Sequence, residues 1–219
     1  MLALFDFDDT LVSRSAAIRR WARLLVRRED MAEDAVQAII DADHQGTTPR
    51  DEFLALVRSL PGIRMTEAEI HDWYAASYPL CYGTEEESIQ ALTLLRDAGW
   101  KIGVVTNGST IRTSQKLARS GLAALIDALC VAEDVGVCKP DRRIFEEVAR
   151  RCGADLAGWM IGDAPVEDIV GGAQAGLRTA WLRRGRSWNG MRPRPDIEAD
   201  SVLEAVLTIV NSPRRTPSG

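Results

Sequence analysis

The chain is poor in several features, and each shortage excludes something. Its four cysteines, Cys81, Cys130, Cys138 and Cys152, form no CxxC pair. A chain of this size with a good core does not need disulfides, so they read as free thiols in a reducing compartment. No stretch reaches about 18 uninterrupted apolar residues, which argues against a membrane span. The start has no basic region leading into an apolar run, because Asp6 arrives too early for a signal peptide. Together these predict a cytoplasmic location and no membrane partner. A basic excess is also missing. Lys and Arg total 27 against 32 Asp and Glu, a formal net charge of -5, which argues against binding a nucleic-acid polymer. Small anionic ligands stay open, since a metal and a few local cations can reverse the field inside a site. No internal repeat or low-complexity block is present.

What remains is an ordinary globular composition, 219 residues with 46% hydrophobic and 27% charged. That suits one domain with a large insert, or two small domains. The most informative stretch is the first, Leu2-Ala3-Leu4-Phe5-Asp6-Phe7-Asp8-Asp9-Thr10-Leu11. An apolar run that reads as a buried strand leads into three acids. In extended backbone, Asp6 and Asp8 point the same way. Two carboxylates together at the mouth of a buried strand repel unless a cation or a shared proton relieves them. That arrangement suits a magnesium-dependent nucleophile beside an acid/base.

Beyond Leu11 the periodicity becomes helical. Ile18, Trp21, Ala22 and Leu25 make one apolar face, with Arg19, Arg20, Arg23 and Arg27 on a solvated one. Further helices are expected over 33–43, after Thr48-Pro49 with Thr48 as N-cap, and from Thr66. Thr66/Glu69 and Thr84/Glu87 both have capping-box spacing. From Trp100 onward, strands alternate with helices. Strands are expected at 101–106, 127–132, 159–162 and 179–182, and helices after Ser109, around Ile144–Ala149, over 165–176 and over 202–210. The fold class is therefore α/β: a Rossmann-like parallel sheet with helices on both faces and an inserted α-helical domain. The expected division is a core of 1–12 and 91–211, a helical insert of 13–90, and a disordered tail of 212–219. The loop Arg183–Arg194 is basic and reads as a surface loop able to approach a site.

Four polar stretches fall at expected strand ends, where catalytic groups gather in such a sheet. They are Asp6/Asp8, Thr106-Asn107-Gly108, Lys139-Pro140, and Gly162-Asp163 with Asp168. Each alone has an ordinary explanation as a turn or a helix start. Together they supply the parts of a phosphoryl-transfer site. Asp6 can attack phosphorus, Thr106 offers a hydroxyl, the glycine turn exposes N–H groups, Lys139 is a point charge, and Asp163 completes an oxygen set for Mg2+.

In these motifs the chain resembles the haloacid dehalogenase superfamily, in particular its small-molecule phosphatases with a helical cap. Asp6-Phe7-Asp8-Asp9-Thr10-Leu11 is similar to the first motif, and Val105-Thr106-Asn107-Gly108 to the second. Val137-Cys138-Lys139-Pro140-Asp141 is similar to the third, and Gly162-Asp163 through Asp168 to the fourth. The flavour around Val135–Pro140 is that of pyrimidine-nucleotidase-like and phosphoglycolate-phosphatase-like members.

The resemblance implies that Asp6 forms an aspartyl-phosphate, while Asp8 protonates the leaving alcohol and then activates water. It implies Mg2+ on the Asp6 carboxylate, the Asp8 backbone carbonyl and the Asp163 carboxylate. Thr106, Asn107 and Lys139 hold the phosphoryl group, with Asp168 orienting Lys139 or a water from behind. The implied cap closes over the site and selects the alcohol, with Ser13, Arg14, Arg19, His44, Gln45 and Arg50 as candidates to face the cleft. Dehalogenases of the family lack the acid found at Asp8, and phosphonate-cleaving members recruit a cap lysine. No lysine precedes Lys101 here. The expected activity is thus a magnesium-dependent phosphomonoesterase on a small phosphorylated metabolite, as monomer or homodimer. Alternatives are a phosphomutase using the same phospho-aspartate and a non-catalytic binding protein that retains the fold.

Overall fold

A computed structural model describes residues 1–46 and 48–212. The expected tail, apart from Ser212, lies outside the described residues, as does the side chain of Gln45. The chain divides into two compact units, Met1–Val12 with Thr84–Gly219, and Ser13–Gly83. The helix Glu86–Asp97 falls in the first unit.

The described residues of the first unit form six strands. These are β1 (Leu2–Phe5), β2 (Lys101–Thr106), β3 (Ala128–Val131), β4 (Gly158–Gly162), β5 (Arg178–Leu182) and β6 (Ile197–Ala199). All neighbours run parallel in the order β3-β2-β1-β4-β5-β6. β1 is central, with Phe5 opposite Val104 on one side and Ile161 on the other. Its four residues are fully buried, which is why the opening run is continuously apolar rather than alternating. The strand order reverses beside β1, so the carboxyl ends of β1 and its neighbours border a crevice. β6 was not expected. It has only three residues, one of them buried, too few to show a period.

Helix Arg142–Arg151 covers one face. Its Ile144, Phe145, Val148 and Ala149 bury against Leu2, Leu4, Val105 and Met160, each large side chain contributing about 1.5–3 kcal/mol. A Cβ at Gly103 would lie 2.7 Å from Val148 and 2.8 Å from Leu4, so glycine permits this close approach. The expected Thr84 cap is not formed. Glu85 is the N-cap residue and makes no side-chain capping bond.

The second unit holds the helices Arg14–Glu29, Ala35–Asp43, Arg50–Arg58 and Glu67–Ser77. Trp21, fully buried, lies 5.0 Å from Tyr74, 5.3 Å from Trp73 and 5.8 Å from Phe53 between ring centroids. Its indole N–H donates to Ser77 Oγ at 3.0 Å, so the aromatic interior leaves the ring nitrogen satisfied. Arg19, Arg20, Arg23 and Arg27 are exposed, as the helical pattern requires. Thr66 and Glu69 form the expected capping box. Thr48 does not cap the next helix: Pro49 occupies the N-cap position. Among the described residues no helix is long and apolar enough to cross a membrane.

Candidate active site

Asp6 is the first residue beyond β1, and its N–H donates to Ile161 O at 2.9 Å. The pairing of β1 with β4 therefore continues to Asp6 and holds its backbone. Its carboxylate Oδ1 accepts from Lys139 Nζ at 2.6 Å, and the same ammonium donates to Asp168 Oδ1 at 2.6 Å. Asp168 is fully buried, and its other oxygen accepts from the Ala164 N–H at 2.9 Å. A Cβ at Gly162 would fall onto the Asp168 carboxylate, which explains glycine before Asp163. Carboxylate oxygens of Asp6, Asp163 and Asp168 lie within 4.8 Å of one another. This all-oxygen donor set fits a hard divalent cation such as Mg2+.

The electrostatics follow from burial. Burial raises the Asp6 carboxyl to about 8, with Lys139 pulling the other way and Asp168 adding to the rise. Asp163 is raised to about 6, first by burial and then by Asp168, with Arg186 opposing. Burial works against the Lys139 ammonium, but the charges of Asp168 and Asp6 outweigh it, and its value lies above the ordinary lysine range. With Lys139 as its cation and no divalent ion, the cluster thus carries more negative charge than it comfortably holds.

The remaining expected residues take specific places. Thr106 ends β2 and is buried. Asn107 follows directly after Thr106. Its amide donates to Lys139 O at 3.0 Å, and its carbonyl accepts from the Lys139 N–H at 2.7 Å. These two bonds tie the side chain expected to hold phosphoryl oxygens to the backbone that carries the lysine. The Asp8 carboxylate does not join the cluster of Asp6, Asp163 and Asp168. Both its oxygens accept from Lys116 Nζ, at 2.9 and 2.6 Å. The basic loop does reach the site: Arg186 donates to Asp163 Oδ2 at 2.9 Å, and Arg184 to Asp9 O at 2.6 Å. In the helical unit, Arg14 grips the buried Asp43 through two bonds of 2.6 Å.

Sequence reasoning missed Lys116, and it named the loop that carries Arg186 without singling that residue out. Lys116 was detectable. In helix Thr110–Ser120, the buried positions are Thr113, Lys116, Leu117 and Ser120, so a lysine stands on the apolar stripe. A charge in that position needs a buried partner.

A parallel α/β sheet with acids and a lysine gathered over its central strand ends is a doubly wound fold with its candidate site at the reversal of strand order. The family model described as haloacid dehalogenase-like hydrolase matches residues 1–176. The chain belongs to that family. A glyceraldehyde 3-phosphate phosphatase of Methanopyrus kandleri is 31% identical over 226 residues, covering 92% of this chain and 93% of that one. A pyrimidine 5'-nucleotidase of Escherichia coli is 40% identical over 111 residues, 49% of each chain. Among solved structures, a hydrolase of the superfamily from Bacillus subtilis, bound to magnesium, aligns with a TM-score of 0.70. It is 25% identical and covers 95% of this chain and 98% of its own.

Proposed function

We propose that the chain is a magnesium-dependent phosphatase that hydrolyses a small phosphomonoester through a phospho-Asp6 intermediate. The observation that carries this reading is the Asp6 carboxylate, held at one oxygen by Lys139 and within ligand range of Asp163 and Asp168. The relatives named as phosphatases and nucleotidases support it, as does the magnesium-bound neighbour.

In this reading a free oxygen of Asp6 attacks phosphorus as the bond to the alcohol oxygen breaks, and Asp8 gives its proton to that oxygen. Asp8 then takes a proton from water, whose oxygen attacks the phosphoryl group, releasing phosphate and restoring Asp6. Lys139 neutralises Asp6 and faces the phosphoryl charge, and Asp168 and Asn107 keep Lys139 in place. Thr106 and the N–H groups of the following turn supply phosphoryl donors. Asp6, Asp163 and the Asp8 backbone carbonyl would hold Mg2+. When bound, the cation supplies charge that lets the phosphoryl oxygens approach the carboxylates. We assign substrate selection to the helical unit.

The test is phosphate release by wild type and Asp6→Asn, with and without Mg2+. The panel is a triose phosphate, a pyrimidine nucleotide, phosphoglycolate, pyrophosphate and a hexose phosphate. Magnesium-dependent release that vanishes in Asp6→Asn supports the reading, and the preferred member identifies the substrate class. Phosphoryl return to a hexose phosphate, without release, would replace it with a mutase.

A further inference from the structure

We propose that Lys116 is a positioning residue for Asp8, an inference that rests on the acid/base role given to Asp8 above. Lys116 lies 108 residues away in sequence, on a helix. Its ammonium bonds both Asp8 oxygens, and its side chain is 11% exposed against 30% for Asp8. An ammonium this far from water is costly unless paired, so the helix side chain and the carboxylate fix each other. A carboxylate gripped at both oxygens gives up most of its freedom about the side-chain bonds.

The helix is itself anchored at the strand ends. Its first N–H, from Thr110, donates to Glu133 Oε2 at 2.8 Å, and Thr110 Oγ1 bonds Asp134 Oδ1 at 2.5 Å. At the other end Gly121 closes the helix in left-handed backbone, and the buried face carries Thr113, Leu117 and Ser120 beside Lys116. The chain from β2 through this helix therefore presents Thr106 at one point and the Lys116 ammonium at another. Lys139 holds the nucleophile, and Lys116 holds Asp8 in its carboxylate form, the form that takes a proton from water in the second step.

An acid/base must stay within hydrogen-bond reach of the leaving oxygen and then of water. Displacement by about 1 Å can cost on the order of 100-fold in rate. Lys116→Met keeps the length of the side chain and removes the charge, and should lower kcat on an alkyl phosphate by about that factor with KM little changed. The leaving group gives a sharper signature. Nitrophenolate leaves without a proton, whereas hydrolysis of phospho-Asp6 still needs Asp8 to activate water. Lys116→Met acting on 4-nitrophenyl phosphate should therefore release one burst of nitrophenol per enzyme, followed by slow turnover.

The experiment compares wild type, Asp8→Asn, Lys116→Met, Lys116→Arg and the double variant Asp8→Asn/Lys116→Met. Each is followed by stopped-flow absorbance with Mg2+ and 4-nitrophenyl phosphate, after a thermal melt establishes folding. The proposal expects the burst in Lys116→Met, substantial rescue by Lys116→Arg, and a double variant no slower than Asp8→Asn. If Lys116→Met does not fold, Lys116→Gln takes its place, and the comparison of Lys116→Arg with wild type still reads the geometry. A wild-type or faster rate in Lys116→Met overturns it, and so does a full further loss when Lys116→Met is added to Asp8→Asn. Wild-type turnover by Asp8→Asn would instead remove the acid/base reading on which it rests, and the proposal with it.

Discussion

Around the sheet, buried charge is concentrated at the ends of the strands. Lys139 bridges Asp6 and Asp168 and the buried Lys116 grips Asp8, while Asp163 meets the exposed Arg186. In the helical unit the interior is largely aromatic, with Trp21, Phe53, Tyr74 and Tyr78 in ring contact, and among the described residues its two buried acids sit at the ends of different helices, Asp43 held by the half-buried Arg14 and Glu29 accepting from the Arg64 N–H. Ion pairs cost desolvation, and apolar groups of the same size would often be at least as stable. The concentration of such pairs in one place therefore marks chemistry, whereas the aromatic interior marks packing. Substitutions in the two units should separate along that line.

The largest effect belongs to the nucleophile. Asp6→Asn should lower phosphate release on the order of 10,000-fold or more on every substrate, with a melting temperature near that of wild type. A residual rate within tenfold of wild type would break the comparison. Next comes Lys139→Met, which leaves Asp6 and Asp168 buried together without their shared cation. It should cost about 3–5 kcal/mol in urea unfolding at neutral pH.

Trp21→Ala tests the other unit. It should cost about 3–5 kcal/mol yet leave magnesium affinity unchanged by calorimetry, because the carboxylate cluster comes from the sheet unit. A large loss of affinity would show that the two units do not divide the work.

A smaller effect is pH dependence without a divalent cation. Asp163 has its folded value raised from 3.8 to about 6, so folding takes up a proton between those values. Its stabilising contribution is full below the lower value and is lost as pH rises through about 6. The cation-free protein should melt lower at neutral pH than at about pH 5 on this account, and Mg2+ should remove most of the difference. The smallest effect is Arg186→Ala. It frees Asp163 from an exposed partner and should tighten magnesium binding by less than about tenfold.

Much of this architecture was legible in the residues. The apolar opening, the strand–helix alternation after Trp100 and the polar stretches at strand ends led to the parallel sheet and to Asp6, Lys139, Asp163 and Asp168 as neighbours. Local signals were weaker. Thr66 caps its helix, but Thr48 and Thr84, in similar contexts, do not, because a cap depends on where the chain enters the helix as well as on residue type. β6 was hidden by its length. The bonds of Asn107 to the Lys139 backbone were not legible, because residue type and position do not reveal a main-chain partner 32 residues away. Lys116 escaped because its partner is 108 residues away, although its place on a buried stripe was a visible anomaly.

In the proposed reaction Asp6 carries the phosphoryl group. The most direct test is to mix Asp8→Asn with 4-nitrophenyl phosphate and Mg2+, quench in acid, and map the peptides by mass spectrometry. Nitrophenolate can leave without the missing acid, and the missing base leaves the intermediate waiting. The expected result is one phosphoryl group on the peptide bearing Asp6, and none when Asp6→Asn is added. Nitrophenol release with that peptide unmodified at every quench time, or continued release in the Asp6→Asn protein, would contradict it.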